Sequence, residues 1–167
     1  KMLPYVFVRS FNIRHCEWSE IDFENKEWII PASKMKTKSE FILPLSNYVI
    51  ELLTEVKKFT SDSKYVFASL KDKNRPMSDN TLISALRRMG YTKEEFVPHS
   101  FRAMFSTIAY ENMNEHQCSG EVIEALLAHK ETNKVKEAYN RATYKQGMKK
   151  LIDWYSNHLT FIVQIKI

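Results

Sequence analysis

The 167-residue chain is poor in the residues that punctuate or staple a fold, with three glycines, five prolines and two cysteines. So little glycine and proline excludes collagen-like and low-complexity chains, and 44% apolar with 27% charged residues excludes a disordered one. Gly90, Gly120 and Gly147 stand alone, so there is no glycine-rich phosphate loop, and neither an HExxH zinc motif nor a GxSxG nucleophile elbow occurs. Cys16 and Cys118 lie 102 positions apart with no CxxC pair, which points away from a disulfide framework or a structural zinc site and toward a reducing cytosol. The longest apolar stretches, such as 161–165, fall far short of the roughly 20 residues that cross a bilayer. No basic-apolar-small leader opens the chain, so a soluble, unexported protein with no membrane partner is expected. What remains is one domain, large enough for a proper core.

Charge is present and unevenly placed. The net charge is +5, but residues 31–45 carry +2, 64–75 carry +3 and 130–150 carry +5, leaving everything else negative. Brought together in space, these segments would form a positive face suited to gripping phosphates, because neutralised phosphates release their counterions. Left apart, they are solvated lysine-rich loops.

The apolar spacing predicts a mainly α fold with a small three-stranded antiparallel sheet. Residues 2–8 read as the end of a helix or strand. Strands are expected at 18–23, 27–31 and 41–45, with a turn at Asn25 and Lys26 and a longer solvent-exposed loop at 32–40 carrying Lys34, Lys36 and Lys38. Ser46 is placed to cap a helix with Val49, Ile50, Leu52, Leu53 and Val56 on its buried face. Further helices are expected from Ser78 or Asp79 to Met89, ended by Gly90; from His99 to Glu111 after Pro98; and from Ser119 through Ala128. A short helical turn at 133–139 and a separate last helix at 144–159 follow. The β-branched tail at 161–167 is expected to bury itself against its own sheet or a neighbour's edge strand.

Several residues are chemically conspicuous: Val8-Arg9, the lysine loop, His99-Ser-Phe-Arg102, Leu127-Ala-His129, and Tyr139 ten residues later. Each alone has an ordinary structural explanation, since HxxR pairs are common on helix faces and a lone His often complements a helix C-terminus. Together, and with Arg14-His-Cys-Glu-Trp-Ser-Glu-Ile-Asp22, Trp28-Ile-Ile-Pro31, Leu43-Pro-Leu-Ser46, Tyr65-Val-Phe67, Ala85-Leu-Arg-Arg-Met-Gly-Tyr91 and Ala138-Tyr-Asn-Arg141, they form an ordered set of blocks. That set, spanning about residues 5–158, resembles the tyrosine recombinases, or phage integrases, and especially their prophage-type members.

The resemblance implies the recombinase catalytic-domain fold and a site-specific DNA recombinase that integrates or excises a prophage or genomic island. It matches Arg9 and Arg102 to paired catalytic arginines, Lys36 to the hairpin lysine, and His99 to the histidine of the HxxR pair. His129 matches the last catalytic histidine and Tyr139 the nucleophile that forms a 3′-phosphotyrosine. Lys34 and Lys38 rival Lys36, and Tyr144 rivals Tyr139. Two planar guanidiniums suit the charge that develops on a phosphodiester under attack, so no metal or other cofactor is expected. DNA contacts are expected from Lys34, Lys38, Arg75, Arg87, Arg88, Lys134 and Arg141. The implied partners are double-stranded attachment-site DNA, further copies in a DNA-bound tetramer, and a DNA-bending accessory protein, in a bacterial or phage setting in the cytoplasm near the nucleoid. Residues 1–158 then form a catalytic domain that begins without its core-binding and arm-binding domains, and 159–167 form a tail. Asn12 departs from the family's acid at that position, and Ala128 replaces its usual glycine. The alternatives are a catalytically impaired DNA-binding module and a related relaxing topoisomerase.

Overall fold

In the computed structural model, residues 1–129 and 134–165 are described, excepting the side chains of 134–143 and 163–165. A 3-10 turn at Leu3–Tyr5 leads through an extended stretch into the short helix α1, Ser10–Arg14. Strands β1 (Ile21–Asp22), β2 (Glu27–Ile30) and β3 (Phe41–Pro44) form an antiparallel sheet in sequential order, with Trp28 opposite both Ile21 and Leu43. Helices α2 (Asn47–Thr60), α3 (Asn80–Arg88), α4 (Ser100–Glu111), α5 (Met113–His116), α6 (Gly120–Leu126) and α7 (Lys134–Ile165) follow. The fold is therefore mainly α with a small three-stranded antiparallel sheet, as the apolar spacing predicts.

Local chemistry accounts for many of the boundaries. The side chain of Ser46 accepts a hydrogen bond from the Val49 amide and caps α2. Lys26 turns the first hairpin at φ 55°, and Gly90 follows α3 at φ 95°, a conformation that is cheap only without a Cβ. The core joins buried residues from the sheet (Trp28, Ile30, Leu43), α2 (Val49, Leu53), α4 (Phe105, Ala109), α6 (Ile123, Leu126) and α7 (Leu151, Ile152, Tyr155). Helix α7 packs on α5, α6, β3 and the N-terminal 3-10 turn. Its approach to α6 depends on Gly147, where an added Cβ would lie 2.8 Å from a methyl of Val122.

Four expectations need correction. The first strand is only Ile21–Asp22, because Trp18–Glu20 forms a 3-10 turn in which Glu17 and Glu20 cap each other's backbone amides. Residues 2–8 hold a 3-10 turn and an extended stretch rather than a helix or strand. The turn at 133–139 and the last helix are, from Lys134 on, one continuous helix, with residues 130–133 outside the described part. A helix already nucleated adds residues cheaply, and no proline interrupts it. For the same reason the β-branched segment from 161 continues α7 to Ile165 across the expected boundary at 158–159, with Phe161 and Ile162 exposed on the helix. Residues 166 and 167 of the expected tail lie outside the described part.

Candidate active site

Phe7 anchors one side of the site. Its buried ring stacks on Phe105 of α4 at 3.5 Å between centroids, and Tyr155 of α7 packs edge-on against both rings. This fixes the backbone that carries Arg9, whose carbonyl accepts the first amide bonds of α1 from Asn12 and Ile13. Three positions before Phe105 on the same helix, Arg102 is buried, and its guanidinium donates to the Phe7 carbonyl at 2.8 Å and to the Leu127 carbonyl. One side chain thus ties the extended stretch two residues before Arg9 to the corner two residues before His129. Burial and then the like charge of Arg9 pull the Arg102 guanidinium below its ordinary pKa, with Glu124 opposing them. Like charge acting on a buried guanidinium in this way favours an anion beside it.

The corner itself is a left-handed helix ending. Ala128 takes φ 48°, which lets the His129 amide bond back to the Glu124 carbonyl at 3.1 Å, a role usually given to glycine. The imidazole then lies along α6, with Nδ1 2.5 Å from Oε2 of Glu124, while Oε1 of the same carboxylate accepts from the Tyr110 hydroxyl at 2.8 Å. Burial acts to raise the Glu124 carboxyl, but the bonds from His129 and Tyr110 outweigh it and hold the group below its ordinary range.

The three lysines of the β2–β3 connection divide. Lys34, at the end of a 3-10 turn at Ala32–Lys34, points inward and donates to the His15 carbonyl at 2.6 Å, to Glu17 at 2.8 Å and to Glu20. Burial opposes its charge, but the two carboxylates outweigh that and raise its pKa. Asn12, fully enclosed, donates through Nδ2 to the Lys34 carbonyl at 3.0 Å. A carboxylate at position 12 could not make that bond, so the departure from the family's acid suits its neighbour. Lys36 and Lys38 beyond it are exposed, Lys38 at φ 58°. His99 sits exposed just before α4, its carbonyl accepting the Arg102 amide at 3.0 Å.

Of the expected DNA contacts, Lys34 is engaged internally, and Arg87 donates to the carbonyls of Tyr91 and Phe96, closing the loop that leads to His99. Arg75 is exposed beside Asp72, and Arg88 is exposed on α3. Lys134, Tyr139 and Arg141 lie on the first turns of α7, with side chains outside the described part. The basic segments do not simply add up to one face: Lys34 and Lys64 share Glu17, Lys73 pairs with Asp62 and Lys145 with Glu27. Residues 130–133 of the third segment lie outside the described part. Among the described residues no cluster of His, Cys, Asp and Glu could hold a metal ion, and no helix is long and apolar enough to cross a membrane.

Glu124 and Tyr110 escape sequence reasoning because a contact from i to i+5 across a left-handed corner follows no helical periodicity. The only available signal is Ala128 in a position that favours glycine.

The fold matches two solved recombinases. The integrase from mycobacterium phage Brujita aligns with a TM-score of 0.63 over 91% of this chain and 48% of its own, at 16% identity. The XerA recombinase aligns with a TM-score of 0.59 over 87% of this chain and 55% of its own, at 19% identity. The architecture is thus the fold shared by these two proteins. The chain belongs to the phage integrase family, whose model matches residues 4–146. It is 36% identical over 160 residues to the integrase of Shigella phage Sf6, covering 95% of this chain and 40% of that protein. Prophage integrase IntS of Escherichia coli (strain K12) gives the same figures, and the integrase of Enterobacteria phage P4 is 34% identical over 173 residues, covering 95% of this chain and 39% of that protein. The chain spans about 40% of the length of these relatives.

Proposed function

We propose that this chain is the catalytic part of a site-specific DNA recombinase that cuts and rejoins strands through a covalent 3′-phosphotyrosine at Tyr139. The observation that carries the proposal is the Arg102 bracket, which joins the Phe7 carbonyl, two residues before Arg9, to the Leu127 carbonyl, two residues before His129, with the charge of Arg9 acting on its guanidinium. In this reading the Tyr139 oxygen attacks phosphorus, the bond from phosphorus to the 5′ oxygen breaks, and the phenol proton passes to His99. Lys36, exposed on its loop, protonates the departing 5′ oxygen. Arg9, Arg102 and His129 meet the charge that grows on the non-bridging oxygens, a donor arrangement in which each member contributes about 3 kcal/mol or more of barrier lowering. The new ester conserves the energy of the old, so a 5′ hydroxyl from another strand reverses the chemistry without ATP. Lys34 is too engaged with Glu17 and Glu20 to serve as this acid, which favours Lys36.

The substrate is double-stranded attachment-site DNA. The working assembly is a tetramer on that DNA with a bending protein, in the cytoplasm at the nucleoid, and residues 159–167 follow the catalytic domain as a tail. Exposed Lys38, Arg75 and Arg88, with Lys134 and Arg141 of α7, contribute phosphate contacts. The test is a nicked suicide DNA carrying a bridging 5′ phosphorothiolate, incubated with the chain, Tyr139→Phe and Tyr144→Phe and run on denaturing gels. A covalent band lost only in Tyr139→Phe is expected. A band lost only in Tyr144→Phe overturns the assignment, and salt-sensitive retention without any band indicates a DNA-binding module instead.

A further inference from the structure

We propose that Glu124 is the positioning residue for His129, fixing the imidazole with Nδ1–H toward α6 and Nε2 toward the phosphate. The inference rests on the recombinase reading of His129 and adds to it a residue that none of the sequence motifs contains.

Donors and acceptors decide which nitrogen carries the hydrogen. Glu124 keeps its carboxylate form, because the bonds it receives outweigh the effect of its partial burial. A carboxylate only accepts, so in the 2.5 Å contact the hydrogen must belong to Nδ1 of His129. The other carboxylate oxygen is filled by the Tyr110 hydroxyl, and that phenol is in turn pushed to higher pKa by Glu124, so it retains its proton and stays a donor. One oxygen is thus engaged by a hydroxyl on α4 and the other by the imidazole just beyond α6, so the ring is directed with Nδ1 toward the carboxylate.

The neighbouring backbone supports the same purpose. Ala128 accepts a left-handed φ of 48°, and the His129 amide returns to the carbonyl of Glu124 itself. Residue 124 thus holds residue 129 twice, by main chain and by side chain. The Leu127 carbonyl within this corner is the one bound by Arg102, whose charge also acts on Glu124. An imidazole left to rotate would present Nδ1 or Nε2 to the phosphate at random, and orientation of a catalytic group lost in this way lowers the rate.

Two measurements on the full chain test the proposal. In the first, the ring nitrogens of His129 are observed by 15N NMR at alkaline pH, with the signal assigned by its loss in His129→Ala. The Nδ1–H pattern is expected in the parent and in Tyr110→Phe, and a shift to the Nε2–H pattern in Glu124→Ala. In the second, single-turnover cleavage of the suicide DNA is measured for Glu124→Ala, His129→Ala and the double variant. Glu124→Ala is expected to fall by about 10-fold or more at unchanged DNA affinity. The double variant should be no slower than His129→Ala alone. An unchanged Nδ1–H pattern in Glu124→Ala, or losses that multiply in the double variant, overturns the proposal. Should the chain form no DNA adduct at all, the recombinase reading fails, while the ring spectrum still decides whether Glu124 holds His129.

Discussion

Replacing Arg102 by lysine tests whether the site is held together by the residue that is also proposed to act in it. The guanidinium reaches two carbonyls on separate segments, those of Phe7 and Leu127, from a position only 8% exposed. Lysine has one ammonium on a single stem and can reach one of the two. A hydrogen bond from a charged donor contributes about 1.5–3 kcal/mol, so Arg102→Lys should lose about that much. For a chain of this size each kcal/mol moves Tm by about 2–4 °C, giving an expected fall of roughly 3–12 °C in DNA-free thermal unfolding. Cleavage should drop more steeply than stability, by about 100-fold or more at a temperature where the variant is fully folded. A variant with the parent Tm would refute the bracket, since Arg102 would then contribute only to chemistry.

Three further outcomes follow from particular contacts. Ala128→Gly should raise stability by about 1 kcal/mol in denaturant titration, because glycine adopts the φ of 48° without the cost borne by a Cβ. Tyr155→Phe should be neutral to stabilising by about 1 kcal/mol, since the buried hydroxyl has no hydrogen-bond partner among the described residues. In acid, burial acts to raise the Glu17 carboxyl, but Lys34 and Lys64 outweigh it and hold the group below its usual 4.5. The stability it supplies is present above that pH and lost as the pH falls through the lower folded-state value, so Tm measured from pH 5 to 3 should decline less in Glu17→Gln.

The sequence and structure agree where local chemistry decides. The turn at Asn25 and Lys26, the second and third strands, the cap at Ser46 and the stop at Gly90 are all properties of a few adjacent residues, and the fold bears them out. They diverge where the chain meets itself at a distance. That Lys34 turns inward to Glu17 and Glu20 while Lys36 stays exposed depends on the packing of the β2–β3 connection against residues 15–20, which three equally spaced lysines do not reveal. Arg87 resembles a phosphate contact until the carbonyls of Tyr91 and Phe96 converge on it. Helix α7 shows the same limit, because polar residues near 140 and β-branched ones near 165 suggest breaks that a long, already nucleated helix overrides. The arginine and histidine positions were legible as motifs. Their partners were not, because a backbone carbonyl leaves no trace in sequence.

The central claim is that DNA becomes linked to Tyr139, and the most direct measurement is mass spectrometry of the linked peptide. After reaction with the phosphorothiolate substrate, nuclease trimming and trypsin digestion, Tyr139 falls in the peptide spanning 137–141 and Tyr144 in that spanning 142–145. The account predicts a nucleotide adduct on the 137–141 peptide alone. An adduct on 142–145, or on any other peptide, would contradict it.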